Sequence, residues 1–291
     1  MISALDREDL VLRLITIIAV LCLSTSIFAQ TRQLTTTPYN KCHLRWSPDG
    51  QRLSFAGNGK LGYVAIQNGA ITFLPIALRG DFYNSWSPDG SSIVFCASSA
   101  KGGYHIWTMP IVGGEPKQLT TQTSFMPDWI PDGSGIVYVT NSSGNMDIWK
   151  INLENLKTIQ LTENTSSDWH PSCSPNSRYV AFSSDRSGNS DIWMISSDGG
   201  VSEQLTDTKA DEDHVCWSPD SKQIAFVSEQ DMRWILCVKD LITQEILNLY
   251  ESDSALAYLS WSPDGNTIAY TDGLSGFSQI YLIDIKSASD D

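Results

Sequence analysis

Apolar and polar residues alternate along this chain in short bursts separated by turn residues, the period-two pattern of half-buried strands. The bursts recur in register: Ile93-Val-Phe95, Ile136-Val-Tyr138, Val180-Ala-Phe182, Ile224-Ala-Phe226 and Ile268-Ala-Tyr270. A second set follows, with Ile106-Trp107, Ile148-Trp149, Ile192-Trp193 and Ile280-Tyr281, and a third ends in Gln118-Leu-Thr120, Gln160-Leu-Thr162 or Gln204-Leu-Thr206. Ahead of the first burst stands a turn peptide, Trp46-Ser-Pro-Asp-Gly50, Trp86-Ser-Pro-Asp-Gly90 or Trp261-Ser-Pro-Asp-Gly265. Variants are Trp129-Ile-Pro-Asp-Gly133, Trp217-Ser-Pro-Asp-Ser221 and Cys173-Ser-Pro-Asn-Ser177. In this peptide Pro presets its φ, Asp bonds nearby backbone, and Gly takes the left-handed position. The six copies are separated by 40, 43, 44, 44 and 44 residues. Four short strands per unit of that length predict an all-β fold, a six-bladed β-propeller of four-stranded antiparallel blades.

The termini predict how the ring closes. After Gln279-Ile-Tyr-Leu-Ile283, the third strand of the sixth unit, no fourth strand follows. Arg32-Gln-Leu-Thr35, ahead of the first unit, matches the fourth-strand ending. The N-terminal strand is therefore expected to complete the last blade and remove two exposed sheet edges.

Ahead of this strand lies a different pattern. Arg13 precedes an apolar run over residues 14–23, and Ser24-Thr-Ser-Ile-Phe-Ala29 provides a small-residue exit. This order predicts a secretory signal peptide over residues 1–29 and a propeller over 30–291. The run is too short for a bilayer span, which takes roughly 20 apolar residues, so no membrane span is expected after cleavage. The expected location is periplasmic or extracellular.

Composition narrows the partners. The formal net charge is −14 and the basic residues are scattered. A phosphate-binding surface needs clustered Lys and Arg, so nucleic acid is not an expected partner. After cleavage five cysteines remain, at 42, 96, 173, 216 and 237, an odd number without paired spacing. They read as buried small hydrophobes and not as a disulfide framework. Cys173 and Cys237 stand where other units carry an aromatic residue, consistent with that reading.

The Trp-Ser-Pro-Asp-Gly unit with its Ile-Trp third strand resembles the TolB-type β-propeller repeat of bacterial exported proteins. The resemblance spans roughly residues 32–285 and does not extend to the N-terminal α/β domain that TolB itself carries. It implies a WD-like propeller that binds other envelope proteins. Propellers of this kind also cap serine peptidases, but no Gly-x-Ser-x-Gly elbow is present.

Fold does not give function, so the site is sought separately. Aligning the units on the Trp register places His43, Tyr83, Met126, His170, His214 and Tyr258 in one column, three residues ahead. Three of the four histidines thus share one position, at the start of the innermost strand and the mouth of the central channel. Asp168 and Asp213 stand beside it, as do Asp81, Asp211 and Glu212. His43, Tyr83, His170, His214, Tyr258, Asp168 and Asp213 form the candidate ligand-binding rim. Imidazole and carboxylate suit a divalent metal, and an aromatic-lined rim suits a peptide or sugar. The alternative is a register that tolerates polar rings where blades wedge together. The loop Asp185-Arg-Ser-Gly-Asn-Ser-Asp191 is too short for a calcium hand and reads as a hairpin turn.

With no catalytic set in the sequence, the expectation is a monomeric binding module for an envelope protein or peptide, requiring no cofactor. The competing expectation is a small metal-assisted lyase or hydrolase acting on carbohydrate at the His/Asp rim.

Overall fold

The computed structural model describes residues 30–80, 82–99, 102–273 and 277–285. The expected signal segment lies outside the described residues, as does Asp81. Six four-stranded antiparallel sheets are arranged as six blades. The first holds β2 (Lys41–Trp46), β3 (Arg52–Gly57), β4 (Lys60–Ala65) and β5 (Ile71–Phe73). The second holds β6 (Asn84–Trp86), β7 (Ser92–Ser98), β8 (Tyr104–Pro110) and β9 (Lys117–Gln118). The third comprises β10 (Ser124–Trp129), β11 (Gly135–Thr140), β12 (Asp147–Asn152) and β13 (Thr158–Gln160). The fourth comprises β14 (Asp168–Cys173), β15 (Tyr179–Ser184), β16 (Asp191–Ser196) and β17 (Glu203–Gln204). The fifth contains β18 (Asp211–Trp217), β19 (Gln223–Gln230), β20 (Arg233–Asp240) and β21 (Ile246–Ser252). The sixth contains β22 (Leu256–Trp261), β23 (Thr267–Asp272) and β24 (Gln279–Asp284), and its outer strand is β1 (Thr31–Gln33).

Ring closure follows the sequence expectation. Thr31, Arg32 and Gln33 pair with Ile283, Leu282 and Tyr281. Beyond the ladder, the Leu34 N–H donates to the Ile280 carbonyl at 2.8 Å. The buried Thr35 hydroxyl accepts the Ile280 N–H and donates to Gln279 Oε1, both at 3.0 Å. Thr120, Thr162 and Thr206 accept the corresponding N–H of Ile106, Ile148 and Ile192. The Gln-Leu-Thr signature therefore encodes a side-chain extension of each ladder past its short outer strand.

The turn peptide behaves as its residues require. In the first blade the Gly50 N–H reaches the Ser47 carbonyl at 2.9 Å, and Asp49 Oδ1 accepts the Ser47 hydroxyl and the Gln51 N–H. Gly50 takes φ 67°, and where Gly is replaced Ser177 and Ser221 take the same conformation at φ 61°. That region is sterically costly for a residue with a Cβ, so the turn geometry is imposed by the blade and not by Gly alone.

Packing is between blades. Ala181, Ile192 and Leu205 of the fourth blade interlock with Val215, Trp217, Ile224 and Phe226 of the fifth. Leu44, Leu53, Phe55 and Val64 of the first meet Ala269, Ile280 and Leu282 of the sixth, sealing the ring. Each such fully buried aliphatic or aromatic side chain contributes about 1.5–3 kcal/mol. The Trp register also stitches blades through the indole N–H. Trp46, Trp86 and Trp217 donate to the carbonyls of Ser260, Arg45 and Ser172 in the preceding blade. The five cysteines among the described residues are free thiols, four of them buried.

Candidate functional site

The channel-mouth column is positioned by a repeated backbone irregularity. In five blades the innermost strand carries a bulge against its neighbour, between Cys42 and Arg45, Phe125 and Asp128, Trp169 and Ser172, Asp213 and Cys216, and Ala257 and Ser260. At each bulge one residue adopts a left-handed φ: His43 58°, Met126 51°, His170 49°, His214 58° and Tyr258 55°. None is Gly, so each carries a conformational cost of about 1–3 kcal/mol that the surrounding ring must offset. A bulge re-aims a side chain, and here it turns five of the six column residues toward one mouth. The second blade departs from this rule. There Phe82 takes the positive φ of 51°, and β6 begins after Tyr83.

The rings meet. His43 lies 3.5 Å from Tyr83 and 4.6 Å from Tyr258 between centroids. His214 lies 4.8 Å from Tyr258 and 4.6 Å from His170, and Tyr83 lies 6.1 Å from His170. Five rings thus close the channel as a belt, with Met126 between the second and fourth blades and its sulfur accepting the His170 N–H at 3.4 Å. The cavity they enclose with Arg45, Asn84, Pro127 and Pro171 is only about 30 Å³. This accommodates a water or two. A wider groove of about 410 Å³ opens beside it, lined by His43, Tyr83, Tyr258, Lys60, Phe82 and the backbone of Gly57, Gly59 and Gly80.

Asp213 organises the charge. Its Oδ1 accepts His170 Nδ1 at 2.7 Å, the His214 N–H at 2.6 Å, and the Ser183 hydroxyl. Burial would push this carboxyl up, but the His170 and His214 imidazoles, with the hydrogen bonds from His170 and Ser183, hold it well below the usual carboxylate range. Its side chain is 37% exposed. His214 is pushed down to about 4, by burial first and with His170 and Arg45 adding to it, against the opposing pull of Asp213. At neutral pH the mouth therefore presents an ionised Asp213 and a neutral His214.

The structure thus brings together six of the seven residues proposed from sequence. The seventh, Asp168, is fully buried, and Arg186 Nη2 holds its two oxygens at 2.7 and 2.8 Å. It does not line the channel cavity. Arg45 was not picked out in sequence. Its Nε sits 3.6 Å from Asp128 across the channel, one step below the rings. The signal was available: the column one residue before the Trp register reads Arg45, Ser85, Asp128, Ser172, Cys216, Ser260, one base and one acid among small residues. Asp128 also accepts the Cys173 N–H at 2.7 Å, as Ser260 and Ser85 accept those of Trp46 and Trp129.

Among the described residues, one group of His, Cys, Asp or Glu has the proximity a metal requires: His170, Asp213 and His214, with ligand atoms within 4.8 Å of one another. The donor set of two imidazoles and a carboxylate suits a first-row divalent ion. Ligand atoms about 2.1 Å from one ion span at most about 4.2 Å, so the group has to contract slightly to fit.

Comparison with known proteins places this geometry in a family. No curated protein matches the chain. Among solved structures, a TolB candidate from Agrobacterium tumefaciens superposes with a TM-score of 0.74 at 23% identity, covering 88% of this chain and 94% of that one. TolB from Acinetobacter baumannii superposes with a TM-score of 0.71 at 20% identity, over 80% of this chain but only 60% of the other. An oligogalacturonate lyase in complex with manganese shares the fold with a TM-score of 0.60 at 15% identity, over 89% and 94% of the two chains. The sequence family described as PD40, the TolB beta propeller domain, matches residues 18–212 and 122–256. With most of its length matched by that family, and six blades of its repeat in place, the chain belongs to the TolB β-propeller domain family.

Proposed function

We propose that this protein is an exported binding module that docks an envelope protein or peptide across the channel mouth bearing the five rings. One observation carries the reading: repeated left-handed bulges aim four of the five rings at a mouth whose cavity is only about 30 Å³, with Asp213 bonded to His170 and an open groove of about 410 Å³ beside it. The cavity is too small for a sugar unit, whereas the groove fits an extended segment along glycine backbone. Flat rings and one anchored carboxylate suit an aromatic or cationic side chain of the partner. The net charge of −14 favours a basic segment. Export rests on the residue 1–29 pattern.

The test is affinity capture from native envelope extract, comparing the wild type with the triple variant His170→Ala, Asp213→Asn, His214→Ala. Loss of the captured protein, with an unchanged β circular dichroism spectrum, supports the reading. Undiminished capture removes the face from consideration.

The second reading is a metal-assisted carbohydrate lyase or hydrolase. It is favoured by the proximity of His170, Asp213 and His214 and by the fold likeness to the manganese-bound oligogalacturonate lyase. Such an ion would act as a Lewis acid at the mouth, with Asp213 and the two imidazoles as its ligands. Elemental analysis and thermal shift with manganese or zinc decide it. Metal-free protein with an unmoved melting temperature argues against this reading.

A further inference from the structure

The fifth blade ends on an edge unlike the others. Their outer strands have two or three residues, whereas β21 has seven. It is the last strand of its sheet, so among the described residues no strand pairs with its outer side. Seven residues present about 23 Å of backbone whose outward N–H and C=O groups are open to another chain. The ladder accounts for the length. In the second, third and fourth blades a Thr hydroxyl takes over where the short outer strand stops. In the fifth, Ser252 pairs with Trp234 within the ladder itself, and its hydroxyl turns to Asp272 at 3.2 Å.

This edge is apolar along one half and acidic at its ends. Ile246 is 45% exposed and Leu247 53%. They pair with Lys239 and Val238, and as neighbours in a strand they stand on opposite faces of the sheet. Lys and Pro, which blunt natural edges, are absent from β21. Glu245 precedes the strand, Glu251 lies near its far end and Asp253 just beyond. Arg233 serves both of these last acids, paired with Glu251 and within the field of Asp253. Lys239 does not offset the charge at the outer edge, because its Nζ turns inward onto the Leu205 carbonyl at 2.5 Å.

These features select the occupant. A second copy of the chain would set acid against acid, between molecules that each carry a net charge of −14. A bulge at Leu249, where Leu236 pairs with Tyr250 but Cys237 with Asn248, twists the strand out of line for a straight match between two sheet edges. Both are devices against self-pairing. A single extended segment can follow the twist, and the acids at the two ends attract it when it is basic. We propose that β21 is a docking edge that takes an extended basic segment of another protein as a fifth strand of the fifth blade. Such a segment carries apolar side chains opposite Ile246 and Leu247, and Lys or Arg toward each end, about six residues apart to match Glu245 and Glu251. Main-chain hydrogen bonds supply the affinity and the end charges select partner and register. The edge lies on the outer rim of the ring, so it is a surface separate from the channel mouth.

The probe is a fluorescent peptide with blocked ends, Lys-Val-Thr-Val-Thr-Val-Lys, titrated with the whole protein at about 0.15 M salt and read by anisotropy. A second peptide has alternate amides N-methylated, which removes its hydrogen bonds and keeps its charge. The protein variants are Ile246→Lys with Leu247→Lys, and Glu115→Gln with Glu154→Gln, which changes net charge equally on exposed turns of the second and third blades. Wild type is expected to bind the first peptide, with slowed hydrogen exchange confined to β21. N-methylation and the edge variant are each expected to weaken binding about tenfold or more, and the charge-matched variant to stay within about twofold. The N-methylated peptide reads the edge on wild type, so the test stands even if the edge variant fails to fold. No binding at about millimolar peptide overturns the proposal. So does equal binding of the N-methylated peptide, or equal loss in the two variants, either of which reduces the attraction to net charge. A wild-type dimer that the edge variant abolishes assigns the edge to a second copy and overturns it as well.

Discussion

Replacing Arg186 by Met isolates a buried charge and is expected to be among the most damaging single changes in the fourth blade. The Arg186 side chain is 12% exposed and its Asp168 partner 0%. Its Nη2 holds both carboxylate oxygens within 2.8 Å, and the guanidinium stacks 4.9 Å from the Trp193 ring and 5.2 Å from that of Phe182. Met retains much of the aliphatic stem, so the loss is mainly electrostatic. Stranding one partner of a buried ion pair costs about 3–5 kcal/mol. For a chain of this size that lowers the melting temperature by roughly 6–20 °C. Calorimetry at pH 7 reads the shift directly. The double variant Arg186→Met, Asp168→Asn removes the stranded charge and should recover at least half of it. A single variant within about 3 °C of wild type would refute the assignment of Asp168 as a structural anion.

Two further outcomes follow from the ring and its closure. Thr35→Val leaves the Ile280 N–H buried without an acceptor, costing about 1–3 kcal/mol, and should expose the N-terminal strand to limited proteolysis before the remainder. His214, held near 4 in the fold, takes up a proton only on unfolding over about pH 4 to 6.5, so its contribution to stability is lost as pH falls through that window. His214→Tyr, the residue found at the same register in Tyr258, should flatten the acid limb of the stability profile.

The repeat made the ring legible because its signals are local. Pro, Asp and Gly define a turn by their own dihedral and hydrogen-bonding preferences, and Arg32-Gln-Leu-Thr35 could be matched to the fourth-strand endings without knowing where it docks. The histidine column was legible for the same reason, since a fixed period places equivalent residues at equivalent points. The bulges were not. Left-handed backbone at His43, Met126, His170, His214 and Tyr258 is imposed by cross-blade packing, and none of these residues announces it as Gly or Asn would. The role of Asp168 was hidden because its partner lies 18 residues away, on a hairpin whose reach depends on blade twist. The fifth blade carried no warning either. Its outer strand β21 runs for seven residues, where the other outer strands have two or three.

The mouth bearing the rings is proposed as the surface that binds. Placing a photoreactive phenylalanine analogue at Tyr258, and in a separate protein at Asp49 on the opposite face, tests it most directly in intact cells. A specific crosslinked adduct is expected from position 258, abolished by His170→Ala with Asp213→Asn, and none from position 49. Adducts from position 49 alone, or equal adducts from both, would contradict it.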